Sequence, residues 1–342
     1  MDNQHLKKLT AGGLLVTLGI IFGDIGTSPL YVFSAITAEG VTTDEFILGA
    51  ISCIFWTLTL QTTFKYVFLT LQADNHGEGG VFSLYALVRR FGKKLYIPAI
   101  IGAGTLLADG IITPPISVAS AIEGLKLIKP DFDPDYIRYI VYAILTLLFF
   151  FQQFGTNVVG KAFGPIMFVW FSMIAVLGVN QIIHYPSVFK ALNPFYGIWL
   201  ITHYPQRLVL LGAVFLATTG AEALYSDLGH CGLKNIRISW VFVKTTLVLS
   251  YLGQAAWMLS SRDAGAFTTA TKFADLNPFF EIMPHWFLIP GLAIATMATI
   301  IASQALISGS FTLISEALSM NFWPRVCEIP NECSGADIYT EC

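Results

Sequence analysis

Charged side chains are scarce in this sequence. Asp, Glu, Lys and Arg together supply 12% of its 342 residues, whereas hydrophobic residues supply 55% and the mean hydropathy is +0.66. A water-soluble domain carries about 25% charged residues, so the composition excludes an ordinary soluble domain. The net charge of −3 is also too small to indicate a nucleic-acid partner.

Cysteine is sparse as well, and its five positions form no framework. Cys53 lies inside an apolar run and Cys231 in a short loop, while Cys327, Cys333 and Cys342 crowd the end of the chain. These spacings match no zinc or disulfide pattern. We therefore expect no disulfide, no zinc and no cofactor.

Long apolar runs take the place of charge. A run of about twenty apolar residues crosses a bilayer as a helix, and the first run lacks the cleavage site of a signal peptide. We predict an all-α polytopic membrane protein with one transporter domain over residues 1–325 and a divergent short tail at 326–342. The eight predicted spans are about 12–36, 46–71, 95–124, 135–153, 161–184, 205–225, 234–261 and 285–320.

Lysine and arginine in the loops predict the orientation, because cytoplasmic loops carry an excess of both. Ten lie on the amino-terminal side: Lys7, Lys8, Arg89, Arg90, Lys93, Lys94, Lys161, Lys234, Arg237 and Arg325. Seven lie on the opposite side: Lys126, Lys129, Arg138, Lys190, Arg207, Arg262 and Lys272. This bias predicts a cytoplasmic amino terminus.

An acid interrupts the first apolar run. Asp24 lies between Gly23 and Gly26, and Pro29 follows. A charged side chain at mid-membrane costs about 2.5–3.5 kcal/mol, and irregular backbone is tolerated there only where it lines a cavity or is buried in protein. We predict that bared carbonyl oxygens, the Asp24 carboxylate and the Tyr31 hydroxyl form a cation site. The alternative is that Asp24 caps the second half of a broken helix.

The third apolar run carries a polar stripe. Asp109, Thr113 and Ser117 follow one another at four-residue intervals, so a helix places them on one face. We predict that this face lines an ion pathway. The alternative is that Thr113 and Ser117 hydrogen-bond back to carbonyls of their own helix, as such residues often do in spans.

The sixth run is interrupted like the first. Thr218, Thr219 and Gly220 break its apolar character, and Glu222 follows on the same face as Thr219. This run begins the second group of five spans, as the Asp24 run begins the first. Paired broken helices at corresponding positions of two halves indicate a transport site near the middle of the membrane.

Other polar residues have simpler interpretations. Lys65 and Lys244 have stems long enough to bring their ammonium groups to an interface. Asp227, His230 and Glu316 lie nearer the ends of their spans, where we expect hydration.

Four stretches of the sequence together resemble the Kup (KUP/HAK/KT) family of potassium uptake transporters. They are GDIGTSPLY, ADNHGEGG, ITPPISVASAIEG and EALYSDLGHCG, and the ordered likeness runs from about residue 8 to about 325. The resemblance implies an inverted-repeat fold like that of the amino acid–polyamine–organocation (LeuT-like) transporters, with broken first and sixth helices. It also implies inward movement of potassium with protons, and it suggests a homodimer.

The same resemblance assigns potassium-binding roles to seven residues: Asp24, Tyr31, Asp109, Thr113, Ser117, Thr219 and Glu222. Many bacterial members carry a glutamate at the position of Asp109, so the carboxylate here is one methylene shorter. Burial penalises the charged form of a carboxyl group, and the proton-coupling candidates are accordingly Glu222, Asp109 and Asp24, with Glu222 favoured.

The functional prediction is potassium–proton symport across the cytoplasmic membrane, with the lipid bilayer as surroundings and no enzymatic activity. The family continues beyond eight spans, so a truncated, non-transporting remnant with an incomplete second repeat is one alternative. An amino acid or polyamine carrier of the same superfamily is another. An intramembrane aspartyl protease is disfavoured, because Ile21 and Leu106 stand where its Gly-x-Gly-Asp motif requires glycine.

Overall fold

The computed structural model describes residues 9–38, 43–129, 133–152, 160–267 and 276–322, and the regular structure within these ranges is helical. The predicted tail, 326–342, lies outside the described residues. The helices in chain order are α1 Ala11–Ile20, α2 Gly23–Thr27, α3 Val32–Thr37, α4 Asp44–Thr57, α5 Val81–Val88, α6 Tyr96–Glu123, α7 Leu125–Ile128, α8 Pro134–Gln152, α9 Gly160–His184, α10 Pro194–His203, α11 Arg207–Phe215, α12 Ala223–Ser226, α13 Leu228–Cys231, α14 Leu233–Asp263, α15 Pro278–Glu281 and α16 Leu288–Ser319.

Several of these helices are suited to a bilayer, as predicted. In the described part of the chain, six helical stretches are long and apolar enough to cross a membrane: Asp44–Gln72, Tyr96–Ile128, Ala162–His184, Arg207–Ser226, Leu233–Asp263 and His285–Ser319. The bent pair formed by α1 and the segment Gly23–Leu30 makes a seventh if it is one span. Helix α8 coincides with the predicted fourth span, whose crossing of the membrane stays a prediction. The chain is thus a multi-pass membrane protein, and the regular structure of its described residues is helical.

The first span breaks just before Asp24. Thr10 begins α1 by accepting a hydrogen bond from the amide of Gly13 at 3.0 Å, and the chain then bends by 71° between Ile20 and Gly23. A short 3₁₀ turn, Ser28–Leu30, follows α2. Proline inside this turn donates no amide hydrogen bond, so the segment is irregular in the middle of an apolar run.

The sixth span is also interrupted. After α11 the chain forms a 3₁₀ turn, Leu216–Thr218, and Thr219 then leaves helical geometry with a ψ of 142°. Gly220 has a φ of +80°, a left-handed conformation that glycine adopts without steric cost. The next helix, α12, begins only at Ala223, so residues 219–222 of the sixth span are not part of a regular helix.

The second span carries a feature that the sequence did not indicate. Helix α4 continues as a π-helix, Leu58–Leu69, and one hydroxyl inside it and one directly after it reach carbonyls five residues back. Thr63 donates to Leu58 at 3.2 Å and Thr70 to Lys65 at 2.8 Å. π-helical segments are rare and often occur at functional sites.

The core surrounds the first broken span. Phe22 and Ile25 beside Asp24 are fully buried, as are the large side chains of Trp170 and Tyr251 on α9 and α14. Side chains that point away from this core include strongly exposed apolar residues such as Leu208. In a membrane protein such faces are solvated by lipid.

Candidate cation-binding site

Asp24 lies one residue inside α2, directly after the bend. Its side chain is 4% exposed, and neither carboxylate oxygen has a hydrogen-bond partner among the described residues. The capping alternative is therefore not what the structure contains: the amide of Gly26 donates to the carbonyl of Phe22, and the Thr27 hydroxyl donates to the backbone carbonyl of Asp24.

The break of the sixth span packs directly against Asp24. A Cβ atom built on Gly220 would lie 2.6 Å from Oδ2 of Asp24 and 2.7 Å from its Cβ. This contact is possible because Gly220 has no side chain. The two interrupted spans thus meet at the acid of the first.

Glu222 follows this contact by two residues. Its carboxyl group lies close to the backbone amides of Gly220 and of Glu222 itself, and it lies within side-chain hydrogen-bonding range of Asp109. Thr219 donates its hydroxyl proton to the carbonyl of Leu216 at 2.8 Å. The sixth span therefore offers one carboxyl group and one hydroxyl oxygen at the break.

The predicted stripe on α6 is present, and its two hydroxyls behave differently. The Thr113 hydroxyl donates to Oδ1 of Asp109 at 2.6 Å, while Oδ2 of Asp109 has no partner among the described residues. The Ser117 hydroxyl is buried, 1% exposed, and likewise makes no hydrogen bond in the described part of the chain. The alternative in which both residues bond back to carbonyls of their helix is not observed.

Tyr31 faces the stripe across a cavity of about 280 Å³, which Asp109, Thr113 and Leu216 also line. Its hydroxyl lies 3.4 Å from Oγ of Ser28 and within hydrogen-bonding range of the Thr219 side chain. The cavity is open on one side and reaches from the first broken span to the third and sixth spans.

Asp109 lines this cavity, and Asp24 and Glu222 lie within electrostatic range of it. The charges that act on Asp24 most strongly are those of Asp109 and Glu222, and both are negative. Among the described residues no three acidic, histidine or cysteine side chains come close enough together to hold a metal by themselves. Like charges buried together are unfavourable unless a proton or a bound cation neutralises them.

The structure corrects the prediction that the irregular first span offers bared carbonyls to an ion. Three of its carbonyls already accept side-chain hydrogen bonds: that of Gly26 from Trp170 at 2.9 Å, that of Pro29 from Gln254 at 3.2 Å and that of Leu30 from Asn277 at 2.9 Å. Carbonyls at membrane depth need such partners because no water replaces them.

Sequence reasoning did not identify these three donors. Gln254 is a buried amide in an apolar span, which is a usable signal, whereas Trp170 and Asn277 are inconspicuous. It also passed over Tyr66 on the π-helix, which lies within electrostatic range of Glu222.

The polar residues that the sequence analysis assigned to interfaces and span ends are not among the residues that line the cavity. The ammonium group of Lys65 lies over the ring of Tyr66, and that of Lys244 over the ring of Phe55. Asp227 is less hydrated than expected, since its side chain is only 32% exposed.

Comparison with known proteins identifies the family to which the chain is similar. The family described as "K+ potassium transporter integral membrane domain" matches residues 11–340. A protein from Flavobacterium johnsoniae named "Probable potassium transport system protein Kup" is 58% identical over 97% of this chain and 50% of its own length. Proteins of the same name from Clostridium perfringens and Enterococcus faecalis are 52% and 51% identical, over 98% and 94% of this chain and 52% and 49% of their own lengths.

The chain thus spans about half the length of the curated relatives that it matches. No solved structure matches it.

Proposed function

Because the chain belongs to the K+ potassium transporter family, we propose that it forms the ion-binding part of a potassium uptake transporter that couples potassium to protons. The observation that carries this proposal is the cluster of Asp24, Asp109 and Glu222, whose negative charges lie close enough to repel one another. A cluster of this kind is stable when it holds a cation, a proton or both.

Potassium suits the oxygens that accompany the acids. It is a weakly demanding cation, and several neutral oxygens with one or two carboxylates replace its water shell. The ligands proposed here are the carboxylates of Asp24, Asp109 and Glu222 together with the hydroxyls of Tyr31, Thr113, Ser117 and Thr219. Backbone carbonyls of the Gly26–Leu30 segment are left out, because side chains already occupy three of them.

Protons supply the additional drive. A potassium ion that enters along the membrane potential gains about 2.3 kcal/mol per 100 mV, so about 180 mV supports roughly a thousandfold accumulation. Uptake from scarcer supplies requires a second driving ion. Glu222 is the proposed proton carrier, because it lies within hydrogen-bonding range of Asp109 and one proton shared between them relieves their repulsion.

The proposal includes an architecture. The two interrupted spans, which meet at Asp24 and Gly220, are assigned to equivalent positions of inverted five-helix repeats in a LeuT-like fold. Residues 1–325 form the transporter domain with eight spans, the amino terminus lies in the cytoplasm, and the protein acts in the cell membrane, as a homodimer.

Growth rescue tests the proposed function. The chain and its Asp24→Asn variant are expressed at matched levels in a bacterial strain that lacks potassium uptake, at low external potassium. We expect rescue by the parent chain and none by the variant, because the amide loses the charge that attracts the cation. Equal rescue by both would remove Asp24 from the mechanism, and no rescue by either would contradict transport by this chain.

A further inference from the structure

Three side chains from distant parts of the chain hold the irregular segment of the first span from outside. Trp170 on α9, Gln254 on α14 and Asn277 before α15 donate to the carbonyls of three buried residues, Gly26, Pro29 and Leu30. We name these three donors the carbonyl clamp. The three donors come from separate parts of the chain, so the segment is held by contacts with three regions of the fold.

The clamp is itself a connected structure. The Trp170 ring packs on the ring of Phe279 with centroids 5.5 Å apart. Phe279 lies in α15, the helix that Asn277 begins by accepting a hydrogen bond from the Phe279 amide at 3.1 Å. The hydroxyl of Ser34 on α3 connects the first span to the residue before Asn277, because it donates to the carbonyl of Leu276 at 3.2 Å.

The segment that the clamp holds carries two proposed ligands at its ends. Asp24 lies two residues before Gly26, and Tyr31 directly follows Leu30, whose carbonyl accepts from Asn277. By holding these carbonyls, whose residues do not line the cavity, the clamp restricts where the Asp24 carboxylate and the Tyr31 hydroxyl can lie. Precise ligand spacing requires such support, because a cage that relaxes accepts ions of several sizes.

Gln254 has a property that a purely structural residue would not favour. Its side chain is fully buried and its Oε1 atom has no hydrogen-bond partner within the described residues. An unpartnered buried oxygen is destabilising, and an apolar side chain of the same shape avoids that cost. The amide is therefore better explained by what its Nε2 atom does at Pro29.

From these contacts we infer that Gln254 and Asn277 are positioning residues that set the affinity and selectivity of the ion site without contacting the ion. This inference rests on the proposed potassium site and deepens it. Neither residue lines the cavity, whose lining includes Tyr31, Asp109 and Thr113. Both act through backbone carbonyls of the broken span.

Thermal unfolding of the purified 342-residue chain, titrated with potassium or sodium chloride at constant ionic strength, tests the inference. The variants are Gln254→Met, which keeps the length of the side chain, and Asn277→Ser, which keeps a residue able to begin α15. The matched control is Asn193→Ser, because Asn193 also begins a helix by capping Phe195 and is also followed by proline.

We expect the potassium concentration at half-maximal stabilisation to rise about tenfold in Gln254→Met and in Asn277→Ser, as for the loss of one hydrogen bond. The preference for potassium over sodium should shrink in both, whereas Asn193→Ser should match the parent chain. Gln254→Met should also unfold at a lower temperature without potassium, because the buried carbonyl of Pro29 loses its donor.

Two results would overturn the inference. Variants that unfold at lower temperature but keep the parent's potassium midpoint and selectivity would show that these residues only support the fold. A parent chain that potassium does not stabilise would overturn the proposed function as well, and that outcome differs from the first because it is visible before any substitution.

Discussion

At the scale of single residues, the site depends on a glycine as much as on its acids. Gly220 combines a φ of +80° with direct contact to the Asp24 carboxylate. Only a residue without a side chain allows both. The sequence signal for this residue was the interruption Thr-Thr-Gly in an apolar run, which predicted the break but not the contact with Asp24.

Gly220→Ala should abolish potassium-dependent growth while much of the protein still folds. Its methyl group would collide with Asp24, and overpacking of this kind costs about 1–3 kcal/mol. The control is Gly265→Ala, where φ is +71° but no atom lies within 4 Å of the added carbon. That control should lose only about 1–2 kcal/mol of stability from the strain of the left-handed backbone, and its growth should be normal. Equal growth of the two variants would show that the contact between Gly220 and Asp24 is not needed for transport.

Glu222→Gln should separate potassium movement from proton movement. The amide keeps the shape of the side chain but carries no titrating proton. In proteoliposomes with an imposed potassium gradient and a pH-sensitive dye inside, we expect potassium flux without the coupled pH change of the parent. Glu123→Gln is the control, since Glu123 is exposed and pairs with Lys126 at 3.7 Å; a pH change that persists in Glu222→Gln would assign the proton to another group.

At the scale of helices, close contacts between glycines hold the scaffold around the broken spans. Helices α9 and α14 approach where Gly178 faces Gly253, and a Cβ atom on Gly253 would lie 2.4 Å from Cα of Gly178. Small residues permit such close packing in membranes, where no hydrophobic force draws helices together. Gln254 directly follows Gly253 on α14, so the close contact between the two glycines also positions this donor of the carbonyl clamp.

Gly253→Ala should therefore lower the stability of the chain by about 1–3 kcal/mol, because the backbones must separate. Gly104→Ala on α6 is the matched control, as nothing lies within 4 Å of its added carbon. There alanine should be neutral or stabilising by up to about 1 kcal/mol. Chemical unfolding in detergent measures both, and equal effects of the two substitutions would refute the close approach.

The end of the sixth span gives a prediction for pH. Burial raises the pKa of Asp227 from 3.8 to about 6, although His230, 3.9 Å away, lowers it. The folded chain therefore holds more protons than the unfolded chain between pH 3.8 and about 6, so this group makes stability fall as pH rises through that window. Below the window its unfavourable contribution is absent. The carboxylates of Glu78 and Glu316 share this region and add to the negative charge there.

Asp227→Asn should remove this contribution. The unfolding temperature of the variant should exceed that of the parent above pH 6, and the difference should vanish as pH falls toward 4. Parallel profiles for the two proteins across this range would mean that Asp227 does not titrate as its surroundings indicate.

At the scale of the whole molecule, the local sequence predicted the helix breaks and the polar stripe, but it did not predict the contacts between distant parts of the chain. The breaks at Asp24 and Gly220 and the stripe from Asp109 to Ser117 follow from glycine, proline and helical spacing, which act within a few residues. The donors of the carbonyl clamp lie 144, 225 and 247 residues from the carbonyls that they hold. No local pattern specifies such pairs, and the prediction of bared carbonyls was wrong for that reason. The π-helix at Leu58–Leu69 was missed because its composition is that of an ordinary span.

The central claim is that acids from the first, third and sixth spans form one site for a monovalent cation. Isothermal titration calorimetry of the purified chain with potassium chloride, against choline chloride at equal ionic strength, tests it most directly. The account predicts that potassium binds the parent chain and binds Asp24→Asn at least about tenfold more weakly. The same substitution at exposed Asp135, which pairs with Arg138 outside the site, should leave the affinity unchanged. Potassium affinity in Asp24→Asn equal to that of the parent would contradict the account.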